Sequence, residues 1–485
     1  MSDNNSGKAL KSGVWYTIGN FLIKGIVFLT SPIFNRLMTK ADIGDFSNFN
    51  SWLPILLVIF SFDLYTSVAV ARFDYKDNLD DYIASNLLLG TMLSVVFSGI
   101  LYIFKGFFMN ILGINELEIW IVIAYCLVYP ATQMIQVKHR ITYKYKFVVF
   151  ISLLSSVVPT LISLLCVFIL RPYSLSLEGR LLGFYTPIVL INIVIYVYLL
   201  SGKKKIKPEY WKYALMISAP LVIHVLSNNL LNSCDKIMIK RICGSTDLGM
   251  YSVAYSCGFV VSILWASINT AWSPWAFEQM DAQNYHLLRK GAKYILTGFG
   301  VLVALIMLLG PEVLWIMGDA PYKDARGVIP PVMAGYATQA IYTFYVNIET
   351  FSKKQKNIAF STLIAAIINI VLNWIFIRKY GYIAAAYTTL VGYLTLFIMH
   401  FIVVKMMKKD KWYDTLFNVV FILFFITYMF VCLILYKFSV IRFIMIAILV
   451  LFIIAFAVKE REMIKQIIKT RSLKPVKEKL SSIMK

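Results

Sequence analysis

The stretch SGVWYTIGNFLIKGIVFLTSPIFNRLM, residues 12–38, is long enough to cross a bilayer yet carries Lys24 near its middle. A lysine at that depth is costly, so its surroundings matter. On a helical wheel Gly13, Thr17, Asn20, Lys24, Ser31 and Asn35 fall within an arc of about 60°, while Phe21, Ile26 and Ile33 lie elsewhere. One face of this helix therefore avoids lipid, and an ionisable group on such a face points to a water-filled cavity or a partner.

The same kind of block recurs along the chain. Of 485 residues 59% are hydrophobic and only 15% charged, with a mean hydropathy of +0.73. Apolar runs bounded by charge or turn residues predict helices near 12–38, 46–70, 82–104, 117–137, 147–170, 181–200, 212–240, 247–273, 293–317, 328–350, 357–377, 382–405, 414–437 and 439–458. The expected fold class is an all-α integral membrane protein of about 14 transmembrane helices. The formal charge of +22, from 47 Lys+Arg against 25 Asp+Glu, sits mostly in alternate connections and both tails, which reads as topology and excludes a nucleic-acid patch. Clusters such as Lys138 to Lys146, the run KKKIK at 203–207 and Lys405 to Lys411 then place both termini in the cytoplasm. The polar N-terminus leads straight into a full span, so no removable signal peptide is expected. Six scattered cysteines read as packing residues, with no metal-ligand spacing.

Three short matches recur at a nearly constant offset. Asp42-Ile43-Gly44-Asp45-Phe46-Ser47 returns as Asp247-Leu248-Gly249-Met250-Tyr251-Ser252, Ala131-Thr132-Gln133 returns as Ala337-Thr338-Gln339, and Gly179-x5-Tyr185-Thr186 returns as Gly381-x5-Tyr387-Thr388. Each pair occupies the same place in a six-helix count, which predicts two parallel six-helix lobes followed by two further helices. The expected division is an N-lobe at 1–200, a basic cytoplasmic linker at 201–212, a C-lobe at 213–405, helices 13 and 14 at 406–458, and a basic cytoplasmic tail at 459–485. The connections opposite the termini are short, the longest around Gly318 to Gly327, so activity has to lie within the helices.

In this order the residues resemble a family, the Wzx-type oligosaccharide flippases of the polysaccharide transporter family, within the superfamily of multidrug, oligosaccharidyl-lipid and polysaccharide exporters. The resemblance rests on Trp15-Tyr16-x-Ile18-Gly19-Asn20, Pro32-x3-Arg36-x2-Thr39, Asp42-x-Gly44-x-Phe46 and Ala71-Arg72-Phe73. It continues through Asp235-Lys236-Ile237-Met238, Trp272-x-Pro274-Trp275 and Gly381-Tyr382-x2-Ala385-Ala386-Tyr387. It implies two lobes around a central cavity that opens alternately to each side of a bacterial cytoplasmic (inner) membrane. The implied cargo is an undecaprenyl-diphosphate-linked oligosaccharide for O-antigen, capsule or exopolysaccharide assembly, with the lipid bilayer, a polysaccharide polymerase and a chain-length regulator as partners. A multidrug antiporter of the same superfamily is the alternative, with a membrane-embedded polymerase or acyltransferase behind it. No HExxH, Walker A or GxSxG motif is present, so no enzyme, cofactor or metal is expected.

Candidate cavity residues are Lys24, Asn20, Asp63, Arg72 and Arg140. Counted from the turn near residue 42, Lys24 and Asp63 differ in depth by about 4.5 Å, so they can meet. Lys24 either serves the cargo or is neutralised by Asp63. On helix 7, His224, Asn228 and Asp235 share a face and are candidates for ion coupling or for a hydrogen-bonded helix contact. Arg36, Lys240 and Arg241 are expected to snorkel at the outer interface, and Trp272, Trp275 and Trp412 to act as interfacial anchors.

Overall fold

The computed structural model describes residues 19, 23, 25–142, 144–202 and 204–459. Lys24 and Asn20 lie outside the described residues, as does the expected tail beyond residue 459. Among the described residues the secondary structure is helical and no strand occurs. Helix α1 covers 25–37. It is followed by α2 (Lys40–Ser61), α3 (Val68–Asp74), α4 (Leu79–Ile103), α5 (Lys105–Leu112), α6 (Glu116–Ile141), α7 (Tyr145–Leu170) and α8 (Ser176–Leu200). The second half has α9 (Pro208–Cys243), α10 (Ser245–Ser256), α11 (Phe259–Asp281), α12 (Tyr285–Leu308), α13 (Gly310–Gly318), α14 (Ile329–Phe351), α15 (Gln355–Tyr380), α16 (Ile383–Met406), α17 (Thr415–Leu435) and α18 (Ser439–Lys459). Ten described helices are long and apolar enough to cross a membrane, or eleven if the bent pair α10 and α11 is one span.

Helix starts follow local chemistry. Thr39 and Asp42 form a reciprocal capping box at α2, and Asn115 with Glu118 forms another at α6. Three predicted spans are interrupted. The run expected as one helix at 46–70 breaks at Phe62 and Asp63, both with positive φ (48° and 46°), because the Phe62 amide caps α2 on Val58 while the Asp63 amide donates to Ser61 Oγ. The 247–273 span bends by 45° between α10 and α11. Gly258 sits at that bend, and a Cβ there would lie 2.6 Å from the ring of Tyr336. The 293–317 span divides at Leu309, where Gly310 and Pro311 open α13. The short helix α5 was not anticipated, and the segment around Gly318 to Gly327 is largely a 3-10 turn, Ala320–Val328, that buries Tyr322.

Buried apolar side chains separate by chain position. Residues between Phe49 and Ala214 supply two clusters, and the largest cluster draws almost wholly on Ile239 to Tyr436. In the first half α7 and α6 pack on α8, and in the second α14 and α15 pack on α16. Trp272 (4% exposed) and Trp412 (9%) belong to the second-half core, which corrects the expectation of interfacial anchoring. Trp272 packs at a tilt against Trp275 and Phe344, and Trp412 stacks on Tyr285.

The two halves meet where α2 crosses α10. Gly44 and Gly249 are equivalent positions of the internal repeat, and each faces the other helix reciprocally. A methyl group on Gly44 would overlap the carbonyl oxygen of Ser245, and one on Gly249 would overlap that of Lys40. The repeat-related pair Ser47 and Ser252 touch through their hydroxyls at 2.7 Å. Lys240, expected at the lipid interface, instead forms an ion pair with Asp45 and reaches Ser245 Oγ at 2.5 Å. Backbones approach this closely only where side chains are absent. Gly44→Ala and Gly249→Ala are each expected to lower stability by about 1–3 kcal/mol, because neither carbonyl can retreat without moving its helix. Thermal unfolding of the full chain in detergent measures this, and an unchanged midpoint would show that the crossing is slack.

Candidate functional site

Beside this crossing lies a cavity of about 450 Å³. Its wall is formed by α1, α2, α7 and α8 on one side and by α9, α10 and the start of α11 on the other. The polar part of the lining is hydroxyls and amides, among them Ser31, Ser47, Asn50, Thr160 and Ser252. Asn50 Oδ1 is already engaged by the Tyr185 hydroxyl at 2.8 Å, which fixes the amide in place. The apolar part combines the aromatic rings of Phe34, Phe46, Phe184 and Phe259 with the aliphatic Val27, Ile43 and Val253.

Two cations line the same space. Arg180, in the second turn of α8, has its guanidinium 3.8 Å from the Phe46 ring centroid and 4.3 Å from that of Phe34. Its other contact is weak, Nη1 donating to Met38 Sδ at 3.5 Å. Lys236, on α9, holds its ammonium 5.1 Å from the Tyr255 ring centroid. Neither forms an ion pair with a carboxylate among the described residues. Aromatic faces stabilise a cation without neutralising it. The donors of Arg180 and Lys236 therefore stay available to an anion, and in a low-dielectric cavity that attraction is far stronger than in water.

Neither residue was among the expected site residues. The sequence pattern starts the sixth helix at 181, which leaves Arg180 in a loop, whereas α8 begins at Ser176 and carries Arg180 into the wall. Lys236 was read only as part of the motif Asp235-Lys236-Ile237-Met238. The available signal was a charge one or two turns inside a span end, a position that normally reads as snorkelling.

The expected residues are dispersed. Asp63 is 5% exposed at the break after α2, with Oδ2 buried and unpartnered among the described residues. Its carbonyl accepts from Thr66 Oγ1 at 2.8 Å and from Ser218 Oγ of α9 at 3.4 Å. Arg72 donates to the carbonyl of Ile141, holding α3 to the end of α6, and its guanidinium lies 5.5 Å from the Phe73 ring. Arg140 lines a separate cavity of about 240 Å³ with Gln136, Val148 and Ser152. On α9, Asn228 is exposed and accepts from Asn232 through its carbonyl at 2.9 Å. The side chain of His224 is outside what the structure describes. Asp235 is 3% exposed and turned toward α10, accepting from the Tyr251 hydroxyl at 2.6 Å and the Lys236 amide at 2.8 Å. Asp235 therefore fixes the backbone that presents Lys236 to the cavity.

The described helices form a multi-pass bundle with a cavity between its two halves. The chain belongs to the polysaccharide biosynthesis protein family, whose sequence profile matches residues 9–280, and a MatE profile matches residues 220–375. Lsg locus putative protein 1 of Haemophilus influenzae is 26% identical over 335 residues, covering 64% of this chain and 77% of that protein. An uncharacterized membrane protein of the same organism is 22% identical over 372 residues, covering 74% and 88%. The fold is similar to lipid II flippase MurJ in an inward closed conformation, with a TM-score of 0.68 at 14% identity over 93% of this chain and 100% of that one. It is also similar to an inward-facing multidrug resistance MATE family transporter of the MOP superfamily, with a TM-score of 0.61 at 14% identity over 81% and 98%.

Tyr251→Phe strands a buried carboxylate oxygen of Asp235 and is expected to cost about 1–3 kcal/mol. Adding Asp235→Leu to it should recover much of that loss, as both polar partners are then gone. Thermal unfolding of the single and double variants in detergent checks this, and equal losses in both would contradict a structural bond between the pair.

Proposed function

We propose that the chain is a flippase that moves an undecaprenyl-diphosphate-linked oligosaccharide from the inner to the outer leaflet of a bacterial cytoplasmic membrane, for O-antigen, capsule or exopolysaccharide synthesis. The observation that carries this reading is the pair of cations, Arg180 and Lys236, neither in an ion pair among the described residues, in a cavity whose other lining is hydroxyls, amides, aromatic rings and the aliphatic Val27, Ile43 and Val253. Hydroxyls and amides suit a sugar, aromatic rings suit its apolar faces, and the cations suit a diphosphate or an acidic sugar. In this reading residues 1–200 and 213–405 act as two lobes, with 201–212 linking them and the helices at 406–458 appended. They rock about the α2–α10 crossing so that the cavity opens to one side and then the other.

The excess of Lys and Arg at the end of the bundle that carries Lys138, Lys204 and Lys409 makes that end, and both termini, cytoplasmic. The Gly44 end is then the outer one. Lys24, which lies outside the described residues, is assigned in this reading either to the cargo or to neutralisation by Asp63. Arg72 and Arg140 draw the diphosphate to the cytoplasmic mouth. A polysaccharide polymerase and a chain-length regulator receive the product. The chain performs no covalent chemistry, and the multidrug antiporter reading is disfavoured because cationic drugs would meet Arg180 and Lys236.

The test is export of surface glycan in cells carrying only the variant protein. Arg180→Ala, Lys236→Ala and Lys24→Ala are each expected to reduce export by about tenfold or more, the factor that loss of roughly 1.4 kcal/mol of anion binding produces. Arg180→Lys keeps part of it, with the variants present in the membrane at parental levels. Normal surface glycan in all three alanine variants would overturn the reading.

A further inference from the structure

Arg180 and Lys236 lie close under the contacts that join the two halves at the Gly44 end. Arg180, near the start of α8 at Ser176, is about 6 Å from that end of the helix and about 30 Å from its other end at Leu200, at 1.5 Å per residue. Lys236 lies about 10 Å before the end of α9 at Cys243. Beyond these two cations the halves are tied together. Asn35 Nδ2 of α1 donates to the Met317 carbonyl of α13 at 2.9 Å, Arg36 donates to that of Trp315 at 3.3 Å, and Arg241 of α9 donates to that of Asn110 of α5 at 2.8 Å. The cations among these contacts have carboxylate partners, Arg36 in Asp319 at 3.9 Å and Lys240 in Asp45. We infer that Arg180 and Lys236 recognise an acidic sugar residue at the end of the oligosaccharide remote from its lipid, an inference that rests on the flippase reading above and assigns that flippase an anionic glycan.

Depth separates the diphosphate of such a cargo from the free end of its glycan. Helix α6 starts at the Gly44 end, where Asn48 of α2 donates to the Leu112 carbonyl at 2.8 Å, and it runs to Ile141 at the opposite end. Arg140 stands beside Ile141, about 36 Å along α6 from Glu116, so Arg140 and Arg180 differ in depth by about 30 Å, the thickness of the hydrocarbon core of a bilayer. With the halves joined at the Gly44 end, cargo enters from the Arg140 end. The undecaprenyl tail keeps the diphosphate in the headgroup layer there, beside Arg140 and out of reach of Arg180. What extends to the Gly44 end is the glycan. Between these depths α9 presents neutral amides: Asn232 and Asn228, one and two turns from Lys236 on the same side of the helix, are exposed and suit the hydroxyls of intervening sugars. The cavity lining holds no carboxylate among the described residues. A neutral sugar there would leave a guanidinium and an ammonium without a counter-charge in a low-dielectric space, which is costly. An acidic sugar meets both, and its hydrogen bonds to them are charge-assisted.

The test reads the glycan and the diphosphate apart. Cells depleted of the chain accumulate its lipid-linked cargo, and mass spectrometry of that lipid fraction gives the sugar composition. A repeat unit with an acidic residue beyond the lipid-proximal sugar is expected. A wholly neutral repeat unit overturns the inference and leaves the flippase reading intact, whereas the absence of any accumulating lipid-linked glycan overturns both. The glycan, freed from its lipid diphosphate by mild acid, is then titrated into the full chain in nanodiscs, and undecaprenyl diphosphate is added to the same nanodiscs in a parallel series. Replacing both cations, Arg180→Gln with Lys236→Gln, is expected to weaken glycan binding by about tenfold or more and undecaprenyl diphosphate binding by about twofold or less. Loss confined to undecaprenyl diphosphate, equal loss of both, or no glycan binding by the parent chain overturns the inference. Where the double variant does not reconstitute, Arg180→Gln alone replaces it, with glycan binding expected to weaken by about threefold or more and undecaprenyl diphosphate binding expected to hold.

Discussion

The closest constraint in the molecule is the reciprocal backbone contact between α2 and α10. Without side chains at Gly44 and Gly249, each helix approaches a carbonyl of the other, and the hydroxyls of Ser47 and Ser252 close the contact one turn further along. In a membrane the hydrophobic effect does little to drive helices together, so small residues and short polar contacts are what hold such a crossing. The Lys240–Asp45 ion pair adds a charge-assisted tie between α9 and α2 at the same end. The wall of the large cavity comes from both halves of the chain, so its shape depends on where this crossing sets them.

That dependence explains how the cavity keeps its charge. An arginine inside a membrane protein usually finds a carboxylate. Arg442 does so here, bonding Glu312 at 2.5 Å and the Leu308 carbonyl at 3.1 Å, which clamps α18 onto α12 and α13. Arg180 rests instead between Phe34 of α1 and Phe46 of α2. The acidic residues nearby are engaged elsewhere: Asp42 by the Thr39 amide and the Ser176 hydroxyl, Asp45 by Lys240, and Asp235 by Tyr251. None of these carboxylates forms an ion pair with the guanidinium of Arg180 or the ammonium of Lys236.

The buried polar groups of the second half follow a different pattern. Cys234, Asn369, Asn373 and Thr388 hydrogen-bond one another across α9, α15 and α16, and Asn347 donates to Asn269 between α14 and α11. These contacts stitch helices that have few apolar reasons to choose a register. The Glu349–His400 pair stands apart because it is ionisable, buried and has one carboxylate oxygen without a partner among the described residues.

The sequence by itself determined the helical class and the placement of nearly every helix, because a bilayer-length apolar run has few alternatives to a helix. The repeat was legible too, since Gly44 and Gly249, and Ser47 and Ser252, could be paired from their offset alone. Interruptions inside apolar runs were not legible. The break at Phe62–Asp63, the bend at Gly258 and the split at Leu309 depend on which neighbour lies against the backbone. Local hydropathy carries no information about that. The cavity was decided by tertiary structure for the same reason. Helical-wheel reasoning ranks residues on a single helix, so it found the face of Asp235 but not that Tyr251 of α10 covers it. Arg180 looked like a loop residue until the α8 start moved it five residues into a helix, between two rings supplied by helices more than 130 residues away in the chain. Whether a charge in a membrane span is neutralised or left available is set by which side chains the other helices bring within reach, and only the packed bundle fixes those.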